Sequence, residues 1–130
     1  MRPTFHAAHV TVENMEDHIL VGFADREFNT NCYLMFQRAY EFHEQDDHTG
    51  MAEVYVERDD QRWSGYGGME RCELLADRIR LTLDDRGAAA MEGIRLMEVS
   101  FDLTSHQLDV LRDGLRQCFS GFHYYVDGAA

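Results

Sequence analysis

Chemistry requires side chains that ionise, ligate or attack, and this chain offers seven histidines, three cysteines and several adjacent carboxylates. Two stretches are rich in histidine, His6-Ala7-Ala8-His9 and His43-Glu44-Gln45-Asp46-Asp47-His48. A zinc site takes three or four ligands in fixed geometry with hydrogen bonds behind them, and neither spacing supplies that. His6 and His9 would face one way only on a helix, whereas the segment reads as entering a strand. Solvated loop histidines are therefore expected, with no metal and no other cofactor.

Nucleophilic catalysis has no better footing. Cys32, Cys72 and Cys118 are odd in number, widely spaced and set in apolar stretches, the pattern of reduced packing residues rather than a disulfide frame. No serine sits in a glycine-flanked elbow. The run Trp63-Ser64-Gly65-Tyr66-Gly67-Gly68 lacks the lysine and the strand-to-helix setting of a phosphate loop. Carboxylate pairs occur at Asp46-Asp47, Asp59-Asp60 and Asp84-Asp85, but among 24 acids such pairs arise by chance and mark turns, where aspartate caps the backbone. The residues specify no enzyme.

What stands out is how the acids are distributed. Between positions 41 and 60 lie Glu41, Glu44, Asp46, Asp47, Glu53, Glu57, Asp59 and Asp60 against Arg58 alone, so more than half of the chain's net charge of -12 falls in twenty residues. Gln61, Arg62, Trp63 and Tyr66 follow at once, and the only tryptophan thus lies beside carboxylates. Tryptophan, tyrosine and arginine are enriched at binding hot spots, and acidic neighbours steer a cationic partner. The residues expected to meet a partner are Glu44, Asp46, Asp47, Asp59 and Asp60 for attraction, with Trp63 and Tyr66 as anchors. The plainer reading is a solvated hairpin rim, with Trp63 folded back over one end of a sheet.

These residues must be positioned by strands. From about residue 8 to residue 103 the apolar period is two, broken every ten residues or so by polar clusters, as in successive antiparallel strands. The segments are 9–13, a strand carrying Ile19, Val21 and Phe23, a central strand at 32–39, a fourth at 52–58, two within 70–83 that turn at Ala76-Asp77 (a single helix being the competing reading there), and one at 94–103 that is either bulged or buried on both sides. The loop 44–47 then joins strands three and four, and 59–68 is a loop leaving the fourth.

The period changes at Thr104-Ser105-His106-Gln107, which has the form of a capping box. Leu108, Leu111, Leu115, Cys118 and Phe119 follow at helical spacing, Asp109 with Arg112 and Asp113 with Arg116 make i,i+3 pairs, and Gly121 is the stop. Residues 122–126 read as a short strand or a packed tail. The expected fold is α+β, an antiparallel meander of about six or seven strands with one C-terminal helix packed on the sheet.

The 130 residues suit one domain, with a core at about 8–121 and peripheral ends, and 45% hydrophobic content is enough to fold. All 12 bases are arginine. The negative balance disfavours nucleic acid and anionic membranes as partners and favours a basic protein. No apolar run nears the roughly 20 residues that span a bilayer, and the N-terminus lacks a secretory stretch, so a cytoplasmic protein is expected. An exposed strand edge leaves room for a homodimer.

Taken in order, several pieces resemble the tenth family of immunity proteins from bacterial polymorphic toxin systems. They are Gly22-Phe23-Ala24-Asp25, Tyr33-Leu34-Met35-Phe36-Gln37-Arg38, Gln45-Asp46-Asp47, Tyr55-Val56-Glu57 and Ser64-Gly65-Tyr66-Gly67-Gly68, followed by paired strands and an apolar helix. The resemblance runs from about Val21 through Gly121. It implies an intracellular, non-enzymatic protein that neutralises a cognate toxin by binding it. Where that toxin is a nuclease, an acidic inhibitor imitates the phosphates its cleft holds. The alternatives are a structural module whose acids only confer solubility, and a metal-binding enzyme using His43, His48 and nearby carboxylates.

Overall fold

A computed structural model describes residues 1–40 and 53–128. Among these residues ten strands form two five-stranded sheets. The strands are β1 (Thr4–Ala7), β2 (His9–Asn14), β3 (His18–Ala24), β4 (Tyr33–Ala39), β5 (Tyr55–Arg58), β6 (Asp60–Tyr66), β7 (Met69–Leu74), β8 (Arg78–Leu83), β9 (Leu96–Phe101) and β10 (Tyr125–Asp127). Two helices accompany them, α1 (Asp85–Ala90) between β8 and β9, and α2 (Ser105–Cys118) between β9 and β10.

One sheet runs β2-β3-β4-β5-β6 in chain order, and every pairing in it is antiparallel. The alternation in the sequence dictates this: Ile19, Val21 and Phe23 of β3, Leu34 and Phe36 of β4, and Val56 of β5 all point inward and are buried. The other sheet has the order β1-β9-β8-β7-β10 and is mixed, because β1 pairs parallel with β9 and β10 parallel with β7. The inner faces share one core, where Phe23 stacks on Phe101 at 6.2 Å between ring centres.

The α+β expectation therefore stands in outline, but the single meander is corrected to two sheets. The meander ends at β6, and the chain crosses to the other sheet at Gly67 and Gly68, both with positive φ. The stretch 59–68, expected as a loop, is mostly the strand β6. A second helix occupies the alanine-rich segment, capped by the Asp84 carboxylate, which accepts from the Gly87 amide at 2.9 Å. Gly87 is required there, since a Cβ would lie 2.1 Å from the Gly68 carbonyl oxygen. The ends expected to be peripheral supply the outer strands β1 and β10 of the mixed sheet.

Helix α2 begins as its sequence dictates. The Thr104 hydroxyl accepts from the Gln107 amide at 3.1 Å, and the Gln107 side chain accepts from the Thr104 amide at 2.9 Å. Leu111, Leu115 and Cys118 are buried, and Phe119 beyond the helix meets Phe36 edge-on at 5.2 Å. Burying each such apolar side chain contributes roughly 1.5–3 kcal/mol. At the far end Arg38 of β4 donates to the carbonyls of Cys118 (3.1 Å) and Ser120, placing a cation where the helix dipole is negative. Asp109 pairs with Arg112 at 3.1 Å as expected, whereas Arg116 reaches Asp127 of β10 at 2.7 Å instead of Asp113.

Candidate partner-binding face

The two sheets present outer faces of opposite character. On the mixed sheet the register sets Glu73 beside Arg80 and Arg80 beside Glu98, and the ion pairs form a ladder. Arg71 to Glu73 is 3.1 Å, Arg80 to Glu73 is 3.5 Å, Arg80 to Glu98 is 2.8 Å and Arg78 to Glu98 is 3.2 Å. Arg80, with Arg78, holds the Glu98 carboxyl below the usual carboxylate range. This face neutralises itself.

The antiparallel sheet's outer face does not. Along β5 the pleat sends Val56 and Arg58 inward and Tyr55 and Glu57 outward. The Glu57 carboxylate accepts from the Tyr33 hydroxyl at 2.5 Å on one oxygen and from the Tyr55 hydroxyl at 2.6 Å on the other. Its cross-strand neighbours are Met35 and Ser64, and the Tyr55 ring lies 5.2 Å from that of Tyr66. Among the described residues no arginine pairs with Glu57. Burial first, and then the bond to Glu57, push the Tyr33 phenol well above its ordinary value, and the same causes raise Tyr55.

The margin of this face is the corner between β5 and β6. Asp59 turns the chain there with φ 62. Its carboxylate accepts from the Tyr33 amide at 2.9 Å and from Arg58 Nε at 3.1 Å, so its charge is used within the fold. Arg58 itself is fully buried, donating to the Arg2 carbonyl at 2.6 Å and lying 4.8 Å over the Phe5 ring. Asp60 is exposed, accepts from the Arg62 amide at 3.0 Å, and stands 3.8 Å from the Arg62 guanidinium. It also adds to the field that keeps Tyr33 protonated.

Trp63 and Tyr66 do not act from one side. Three positions apart on β6, they fall on opposite faces: Trp63 turns inward and packs half-buried on the core, while Tyr66 turns outward and is 37% exposed. Glu44, Asp46 and Asp47 lie outside the described residues, as do His43 and His48. His6 meets the Ser100 hydroxyl at 2.8 Å and Asp102 at 3.6 Å. Among the described residues no three His, Cys, Asp or Glu side chains gather as a metal site would require. All three cysteines are free, and burial pushes the Cys118 thiol up to about 12 and that of Cys72 higher still.

Two features escaped the sequence. Joining Tyr33 to Glu57 depends on a register that brings together residues 24 positions apart. Phe28 is the other, 75% exposed in the β3–β4 loop at the same end as the Asp59 corner. That loop is braced, because the Asp25 carboxylate accepts from the amides of Asn31 (3.1 Å) and Cys32 (3.2 Å), and the Thr30 hydroxyl donates to the Arg26 carbonyl (3.1 Å). A lone phenylalanine in a polar loop carries no periodic signal that would single it out in the sequence. The outer face thus combines a carboxylate without an arginine partner among the described residues with three tyrosines, and Phe28 stands exposed in a loop at the same end.

Residues 6–109 match the family described as Immunity protein 10. Neither the curated proteins nor the solved structures contain a match to the chain. The matched span includes β2 through β9, with the whole tyrosine–glutamate face and the Phe28 loop inside it. The chain belongs to the Immunity protein 10 family.

Proposed function

We propose that this chain neutralises a cognate toxin by direct, non-catalytic binding in the cytoplasm, through the outer face of the β2–β6 sheet and its β5–β6 margin. Family membership carries this reading. The site is supported by the contrast between the charge-paired face of the mixed sheet and the unpaired Glu57 on the other. In this reading the partner surface is basic, as a nuclease cleft is, and Asp60 with Glu44, Asp46 and Asp47 steers it. Tyr66 and Phe28 then bury against it as anchors. Asp59 contributes by fixing the corner rather than by contact, and Trp63 supports β6 from beneath.

Co-expression provides the test. The toxin domain encoded beside this chain is expected to arrest growth alone and to be harmless when the chain is present, with a complex on size-exclusion chromatography. Phe28→Ala is expected to weaken that complex by about 2 kcal/mol or more while leaving folding stability within about 0.5 kcal/mol. Continued growth arrest with no complex would overturn the reading.

A further inference from the structure

The carboxylate of Glu57 has a geometry beyond its charge. A carboxylate offers about four lone-pair positions, two on each oxygen. The Tyr33 hydroxyl takes one position on Oε2 and the Tyr55 hydroxyl one on Oε1, so each oxygen keeps a further acceptor position. The two oxygens of one carboxylate match the forked donors of a guanidinium, and a single ammonium cannot use both as well. The neighbouring cross-strand pair is aromatic, since the Tyr55 and Tyr66 rings lie 5.2 Å apart at an interplanar angle of 56°, and ring faces attract cations. The cross-strand neighbours Met35 and Ser64 carry no charge.

We propose that Glu57, Tyr33, Tyr55 and Tyr66 form a receptor for one guanidinium group, an arginine side chain presented by the protein partner. The partner's identity rests on the toxin-binding reading above, whereas the receptor is testable without a toxin. The hydroxyls of Tyr33 and Tyr55 hold the carboxylate in one rotamer, so a guanidinium meets a pre-oriented acceptor pair. Charge complementarity points the same way, because the chain carries a net charge of -12 and no arginine of the described residues pairs with this carboxylate. A purely structural Tyr–Glu–Tyr clasp would hold the sheet face together and show no preference among added cations.

The experiment is a nuclear magnetic resonance titration of the full chain, following the tyrosine ring signals as a blocked arginine amide is added. Saturable shifts at Tyr33, Tyr55 and Tyr66 are expected. The citrulline amide, of the same shape without the charge, is expected to bind about tenfold more weakly or worse, and so is the arginine amide to Glu57→Gln. The lysine amide is expected to be weaker by about threefold or more. Ring signals that stay still with arginine, or that move equally with citrulline, overturn the receptor; equal binding of lysine overturns the forked geometry. The arginine-to-citrulline comparison uses the unaltered chain, so misfolding of Glu57→Gln does not spoil it. A negative titration leaves rescue from the toxin intact, and failed rescue beside a positive titration counts only against the toxin reading.

Discussion

A phenol hydroxyl on a sheet face and one inside a core have different consequences. The Tyr33 hydroxyl donates to Glu57, but those of Tyr124 and Tyr125 are buried with no hydrogen-bond partner among the described residues. The Tyr124 ring is well used, edge-on to Phe119 at 5.8 Å and stacked on Phe122 at 5.3 Å. Tyr124→Phe keeps those contacts and deletes an unsatisfied oxygen, so it is expected to stabilise the fold by about 1 kcal/mol. Burial, followed by the field of Glu53, raises the Tyr124 phenol above its ordinary value. The folded chain therefore keeps this proton where the unfolded chain loses it, near pH 10. That contribution to stability is complete below pH 10 and falls as the pH climbs further, because the native state then binds more protons than the unfolded one. Urea unfolding at pH 8 and pH 10.5 should show the advantage of the phenylalanine variant widening at the higher pH. A variant less stable than the wild type at pH 8 would mean that the hydroxyl has a partner.

At the scale of elements, α2 lies so close to β2 that its glycine is a spacer. A Cβ on Gly114 would sit 2.7 Å from Val12 Cγ1 and 2.9 Å from Cγ2. Alanine favours the helix by about 1 kcal/mol, but overpacking costs about 1–3 kcal/mol. Gly114→Ala is therefore expected to lower stability by about 1 kcal/mol, and in a Val12→Ala background the same change should become stabilising, as a double-mutant cycle in urea would reveal. The same closeness explains which elements were legible in the sequence. Capping residues and helical spacing are local, and they gave α2; alternation in β2 to β5, β7 and β8 is local too. Strand β1 shows nothing local, because Phe5 finds Val99 across almost the whole chain. Helix α1 has only six residues and too little period to read, and Gly65 of β6, with Gly67 and Gly68 just after it, mimics a loop although Gly65 simply faces inward opposite Val56. Of the candidate site, the acids and Tyr66 were visible as composition. The pairing of Glu57 with Tyr33 was not, since it depends on strand register.

For the molecule as a whole, the charge is uneven in use as well as in number. The arginines of the mixed sheet are spent on its own carboxylates and Asp59 is held by Arg58, whereas in the sequence positions 41–60 alone hold eight acids against one arginine. A field of this kind acts before contact: it draws a basic partner inward and speeds association, while the buried anchors govern how long the complex lasts. The Debye length shrinks from about 10 Å at 0.1 M salt to about 3 Å at 1 M, which removes the long-range part and leaves the contacts. Association of the chain with its toxin is therefore expected to slow by about tenfold or more across that range. Dissociation should change far less. Phe28→Ala should do the reverse, leaving the association rate almost untouched and shortening the complex's lifetime, because a neutral side chain adds nothing to steering. Stopped-flow mixing at several salt concentrations separates the two. An association rate that stays level from 0.1 to 1 M salt would mean that the acidic segment serves solubility, and that recognition starts only at contact with the tyrosine face.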